Sequence, residues 1–291
     1  MSITTILRVI LLMNCLKYFV ILGIDFYDTE LDTAISNIKL SHNFGYYLAN
    51  HTLQNNNVKE LLSSNATFDL VISEQVFDEA FYGFAHHFKS SLITVSTAGP
   101  SEWTNHITLT PLPLSYVPSI FSDFTYDMNL QQRIKNIYIK IFYAIYQHFV
   151  MLPEQNQLLQ QHFPGAPSVV EMIGEVDLVL VNSHFSTHYP VPSVPNMIEI
   201  AGSHINLQPL PKHLQKFLDE AKEGVIFFSM GSNVRSADLP KEKLEYFLKS
   251  FTKIEQKILW KWEDDNFEGK PNNVKVEKWL PQVEVLGNIL I

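Results

Sequence analysis

Two short stretches hold residue types suited to a nucleotide: 224-GVIFFSMGSN-233 and, farther along, 279-WLPQ-282. A glycine placed directly after a buried strand lets the backbone turn tightly. The amides exposed there, with the Ser232 hydroxyl, can meet a phosphate or a ribose. Gly231 and Ser232 in SMGS are therefore candidate contacts to a phosphate or ribose, although the same pattern serves as a plain tight turn in many α/β folds. In WLPQ, the Trp279 indole can stack on a planar base and the Gln282 amide can pair with hydroxyls or base edges. Pro281 would fix the loop that carries them. Read singly, Trp279 fits a core position equally well. Metal chemistry has little to work with, because no Asp-x-Asp pair occurs and the histidines lack ligand spacing. Asp264 and Asp265 are adjacent in a polar loop and read as solvated.

These residues need strands and helices to hold them. The runs 68–74, 92–97, 176–183 and 197–202 are short, apolar on both faces and bounded by polar turns, which predicts parallel strands covered by helices. A helix is expected over 78-DEAFYGFAHHF-88, so His86 and His87 read as packing or surface residues. The proline-rich loop 111-PLPLSYVPS-119 is where substrate contacts are expected, and residues 134–150 read as a helix buried nearly all round. Apolar density falls over residues 206–223 and returns at Val225, which places a domain boundary near residue 205. The second segment starts as a strand, a Gly-Ser turn and a helix whose Leu244, Phe247, Leu248 and Phe251 share one face. Strands over 257–263 and 274–276 follow, with Trp260 and Trp262 assigned to packing. A sheet of about two strands there is too small to bury both faces, so this segment reads as incomplete.

With 291 residues, 46% apolar and 12% aromatic, the chain can bury a sizeable core in one or two domains. The formal charge of −9 and the absence of a basic run exclude nucleic acid as an expected partner. Cys15 is the single cysteine, which rules out an internal disulfide. Two Asn-x-Thr triplets, at Asn50 and Asn65, lean toward a secretory-pathway protein. Residues 3–24 are almost continuously apolar but carry Arg8 and Lys17 and no small-x-small cleavage pattern. A signal peptide, an anchor and a buried helix-strand pair all remain compatible with them.

The order of segments is more specific than any one of them. FDLVISEQ, GEVDLVLVNSHF with P-x-x-P-N and AG-x-H, GVIFFSMGSN, LPKEK, WKWE and KPNNVKVEKWLPQ together closely resemble the UDP-glycosyltransferases, insect members above all. The resemblance implies a GT-B-type α/β fold of two Rossmann-like domains. Residues 1–205 would be the acceptor-binding domain, with 1–40 atypical. Residues 206–223 would be the linker, and 224–291 the start of the UDP-sugar-binding domain. It further implies metal-independent, inverting transfer of a hexose from a UDP-sugar to a hydroxyl of a small lipophilic acceptor. Location on the lumenal side of the endoplasmic reticulum membrane, and oligomers with full-length relatives, belong to the same implication.

In that family a Ser-His pair supplies the general base, and a strand-end carboxylate, here Glu74, orients it and stabilises its charged form. Ser41-His42 is the nearest match to the pair, yet His42 precedes Glu74 by only 32 residues, too few for the elements expected between them. It is a poor base by that measure. Gly231, Ser232, Trp279 and Gln282 match the uridine side of the donor site, and no metal or other cofactor is implied. After WLPQ, Asn288 stands where a family histidine is expected, and the His-Gly segment that takes the diphosphate and the Asp-Gln pair that grips the sugar are not present in these 291 residues. The chain is thus expected to be a fragment lacking base and diphosphate site. The alternative from another class is a catalytically dead protein that keeps the fold and binds lipophiles or a partner.

Overall fold

A computed structural model describes residues 34–288 apart from 187, 189, 190, 233 and 268. The apolar stretch 3–24 lies outside the described residues. The described residues form two compact units, the first ending at Ser203 and the second starting at His204.

The first unit opens with two helices, α1 (Ala34–Leu53) and α2 (Asn56–Ser63). Strand β1 (Leu70–Glu74) then leads through a short 3-10 turn (Glu79–Tyr82) into α3 (Gly83–Phe88). Strand β2 (Ser91–Ser96) is followed by α4 (Glu102–Thr108) and the long α5 (Leu130–Tyr146). Both helices start at reciprocal caps, Ser101 with Thr104 and Asn129 with Gln132, which satisfy amides that a helix start leaves open. A π turn (Gln147–Met151) joins α5 to α6 (Leu152–His162), and α7 (Val169–Gly174) precedes β3 (Leu178–Val181) and β4 (Met197–Glu199). The strands pair in the order β1-β2-β3-β4, parallel throughout. Parallel sheets need apolar cover on their faces, and Leu92, Val179 and Val181 supply it by packing with Ala49 and Leu53 of α1, Leu158 and Leu159 of α6, and Phe163 just past α6.

The helix expected to be buried all round is buried on one side only. Asn136, Ile139, Lys140 and Tyr143 of α5 face inward, while Ile134, Tyr138, Ile141 and Ile145 are 51–60% exposed. The inward set recurs at helical spacing because α5 packs on its neighbours along a single stripe. Composition alone could not separate the two faces, since both carry apolar side chains.

The second unit contains α8 (Lys212–Asp219), β5 (Val225–Phe228), a 3-10 turn (Ser236–Asp238), α9 (Lys241–Phe251), β6 (Lys257–Lys261), β7 (Val274–Glu277) and α10 (Gln282–Leu286). Three strands form where about two were expected, parallel and in the order β5-β6-β7. Alternation along β6 splits its side chains between two layers. Leu259 joins Leu214 and Leu218 of α8, while Ile258 and Trp260 join Phe251 of α9. Trp260 and Trp262 are buried, as their assignment to packing required. No helix among the described residues is long and apolar enough to cross a membrane.

Candidate functional site

In an open parallel sheet, contacts to a ligand arise beyond the carboxyl ends of the strands. Each unit presents such an edge.

In the second unit, the SMGS turn follows β5, Lys261 closes β6 and WLPQ follows β7, so all three lie at the carboxyl edge of one sheet. Gly231 takes φ +81°, a left-handed conformation that favours glycine, and a Cβ built there would meet nothing within 4 Å. Its amide donates to Ser229 Oγ at 3.2 Å, and Ser232 next to it is exposed. Trp279 is 70% exposed, which removes the core reading of that residue. Lys261 Nζ lies 5.9 Å from the centre of the Trp279 ring, within cation-π range. Gln282 is exposed at the first position of α10. Lys261 went unnoticed in the sequence because it alternates with buried tryptophans and reads as the solvent face of a strand. It is instead 8% exposed and paired with Glu263 at 2.7 Å. Asp264 and Asp265, read from the sequence as simply solvated, are exposed but paired, with Arg235 at 2.8 Å and Lys278 at 2.7 Å. The loop that carries them is thus tied to its neighbours by exposed ion pairs, which contribute little each.

In the first unit, Glu74 ends β1 in register with Val95 of β2 and is exposed. His42 does not join it. The imidazole is 1% exposed inside α1, with Nδ1 3.1 Å from the Tyr146 hydroxyl and Nε2 3.4 Å from Glu154 Oε2. Burial lowers its pKa, and the Glu154 charge opposes that shift. His42 therefore ties α1 to the start of α6. His86 and His87 are exposed on α3; His86 lines a cavity of about 320 Å³ that includes Ser91 at the start of β2, the end of the sheet away from Glu74.

Sequence reasoning missed the buried charge that follows β1. Asp78 and Glu79 are 3% and 8% exposed, with Val76 N–H donating to Asp78 Oδ1 at 3.1 Å. Burial raises Asp78 well above the usual carboxylate range and pushes Glu79 up to about 7. Two more buried groups, Lys140 and Tyr143, come from α5. Burial lowers the Lys140 ammonium, against the pull of Glu102, and raises the Tyr143 hydroxyl, with Glu79 and Glu102 adding to the rise. Among the described residues, Glu79 Oε2, Lys140 Nζ and the Tyr143 hydroxyl have no hydrogen-bond partner. A carboxyl near pKa 7 with a free oxygen can hold or release a proton at neutral pH. The signal was present, since DE follows FDLVISEQVF directly, but a helix start is the ordinary reading of that pair.

The family model described as "UDP-glucoronosyl and UDP-glucosyl transferase" matches residues 23–289. UDP-glucosyltransferase 2 of Dactylopius coccus is 37% identical over 224 residues, covering 76% of this chain and 43% of that protein. The ecdysteroid UDP-glucosyltransferase of Spodoptera littoralis nuclear polyhedrosis virus is 29% identical over 247 residues, 79% of this chain and 46% of the viral one. The chain thus spans under half the length of these curated relatives. Among solved structures, a UDP-glucosyltransferase from Polygonum tinctorium, solved as a complex with 3,4-dichloroaniline, is similar at 15% identity and a TM-score of 0.48, covering 91% of this chain and 59% of that one.

Proposed function

Since the chain belongs to the UDP-glucuronosyl and UDP-glucosyl transferase family, we propose that its second unit binds the uridine end of a UDP-sugar at the carboxyl edge of β5-β6-β7. The observation that carries this reading is the exposed Trp279 face, set at that edge beside the buried Lys261 ammonium. A uracil ring stacks on the indole, the Gln282 amide meets the ribose or base edge, and the SMGS turn offers the Ser232 hydroxyl. Lys261, neutralised by its pair with Glu263, lies 5.9 Å from the centre of the indole ring, within cation-π range.

The complete reaction of the family, inverting and metal-independent transfer of a hexose to a hydroxyl of a small lipophilic acceptor, is proposed for the protein in which these residues occur. Glu74 would orient the base in that reaction. His42 is buried against Glu154 and not against Glu74, so residues 1–291 on their own are expected to bind UDP without transferring sugar. Residence on the lumenal side of the endoplasmic reticulum membrane, a role in detoxification, and oligomers with full-length relatives are proposed on the family resemblance.

The test is isothermal titration calorimetry of the purified chain with UDP. Saturable binding should appear and weaken roughly tenfold in Trp279→Ala, the loss of about 1.4 kcal/mol that one aromatic stack contributes. Equal UDP affinity in Trp279→Ala would overturn the assignment. Transfer of sugar from a UDP-sugar to an acceptor, with release of UDP, by the purified 291 residues would overturn the expected inactivity.

A further inference from the structure

The two Asn-x-Thr triplets fold into different surroundings, and we propose that Asn65 carries an N-linked oligosaccharide and Asn50 does not. The proposal rests on the lumenal reading above, because the transfer needs an oligosaccharide held on a polyisoprenyl diphosphate lipid and the transferase that uses it. In that step the Asn65 Nδ2 attacks the anomeric carbon and the carbon–oxygen bond to the lipid diphosphate breaks. An N-glycosidic bond forms as the amide gives up a proton, and the lipid diphosphate leaves.

Asn65 and Thr67 are both exposed in the loop between α2 and β1, outside any helix or strand. Ala66 N–H donates to Ser64 Oγ at 3.2 Å, which turns the chain just ahead of the acceptor and leaves the Asn65 side chain facing water. A glycan is a bulky, hydrated group, and such a loop accommodates it without displacing anything. Asn50 contrasts at each point. It lies within α1, half-buried, and its Oδ1 accepts from Gln54 Nε2 at 2.6 Å. Thr52, whose hydroxyl completes the triplet, is 2% exposed. Its neighbours Leu48, Ala49 and Leu53 are buried, so a glycan there would sit against the side of α1 that packs.

The placement also suits the rest of the molecule. Asn65 precedes β1, whereas Glu74 ends it, and the strand from Leu70 to Glu74 is itself roughly 13 Å long at about 3.3 Å per residue. A glycan at the amino end of the sheet leaves the carboxyl edge open.

The 291-residue chain is expressed in insect cells and treated with peptide-N-glycosidase before electrophoresis. Wild type and Asn50→Gln should each drop by one step; Asn65→Gln and Thr67→Ala should migrate at the deglycosylated position and not move, and Thr67→Ser should restore the step. Protease protection in sealed microsomes is measured alongside. A protected wild-type chain with no step overturns the glycan while leaving the lumenal reading in place; an accessible chain with no step overturns both. A step that persists in Asn65→Gln assigns the sugar to Asn50 and overturns the proposal.

Discussion

Glu79 holds its proton in the fold over a range where the unfolded chain has already lost it. Its folded pKa of about 7 lies above the ordinary 4.5, so the folded state binds more protons between those values and stability falls as pH rises through the window. Asp78, raised by the same burial, acts in the same direction. The Glu79 part amounts to at most about 3 kcal/mol, and Glu79→Gln should flatten the decline of the urea midpoint between pH 4.5 and 7. An unchanged slope would show that Glu79 is hydrated in the fold. His42 has the opposite sign, since its lowered pKa leaves the folded state with fewer bound protons and its stabilising effect is lost as pH falls below 6.5. At this scale the sequence was a partial guide. Glu74 is exposed at the end of β1, and Trp279 is exposed two residues past β7. The pairing of His42 with Tyr146 and Glu154 was not legible, because those partners lie 104 and 112 residues away in the chain.

Helix α1 approaches the turn after β1 so closely that a Cβ on Gly45 would lie 2.3 Å from the Val76 carbonyl oxygen and 2.4 Å from that of Phe77. Backbone cannot swing aside as a flexible side chain can, so Gly45→Ala should destabilise the first unit by roughly 2 kcal/mol or more, measured by chemical denaturation. The proline-rich loop is held by one residue of α5. The Asn136 amide donates to the carbonyls of Leu114 and Val117 at 3.1 and 2.9 Å, and its Oδ1 accepts from Ser119 N–H at 2.7 Å. Asn136→Ala leaves those groups without partners at a cost of about 2 kcal/mol, and hydrogen exchange over residues 114–119 should quicken well before that of β2. Uniform slowing or quickening across the unit would contradict a local clamp. The strands were legible from their apolar runs, and α9 from the spacing of Leu244, Phe247, Leu248 and Phe251. The faces of α5 were not, because which side of an apolar helix is covered depends on neighbours far away in sequence.

The two compact units have separate cores, so calorimetry should resolve two transitions, and Trp260→Ala should lower only one of them. A single transition that shifts as a whole would show the cores to be coupled. The family was legible from the order of its segments, and the length shared with its curated relatives became visible only by comparison. The burial pattern of the tryptophans has an optical consequence. Trp260 and Trp262 lie 5.3 Å apart at 80°, dry and immobilised, with Trp262 stacked on Phe267 at 4.1 Å. A fixed, asymmetric pair of this kind should dominate the near-ultraviolet circular dichroism, whereas Trp279, wet and reachable, should give up its emission to iodide or acrylamide. Of the four tryptophans, the Trp260–Trp262 pair therefore reports whether the second unit is folded and Trp279 whether its carboxyl edge is occupied.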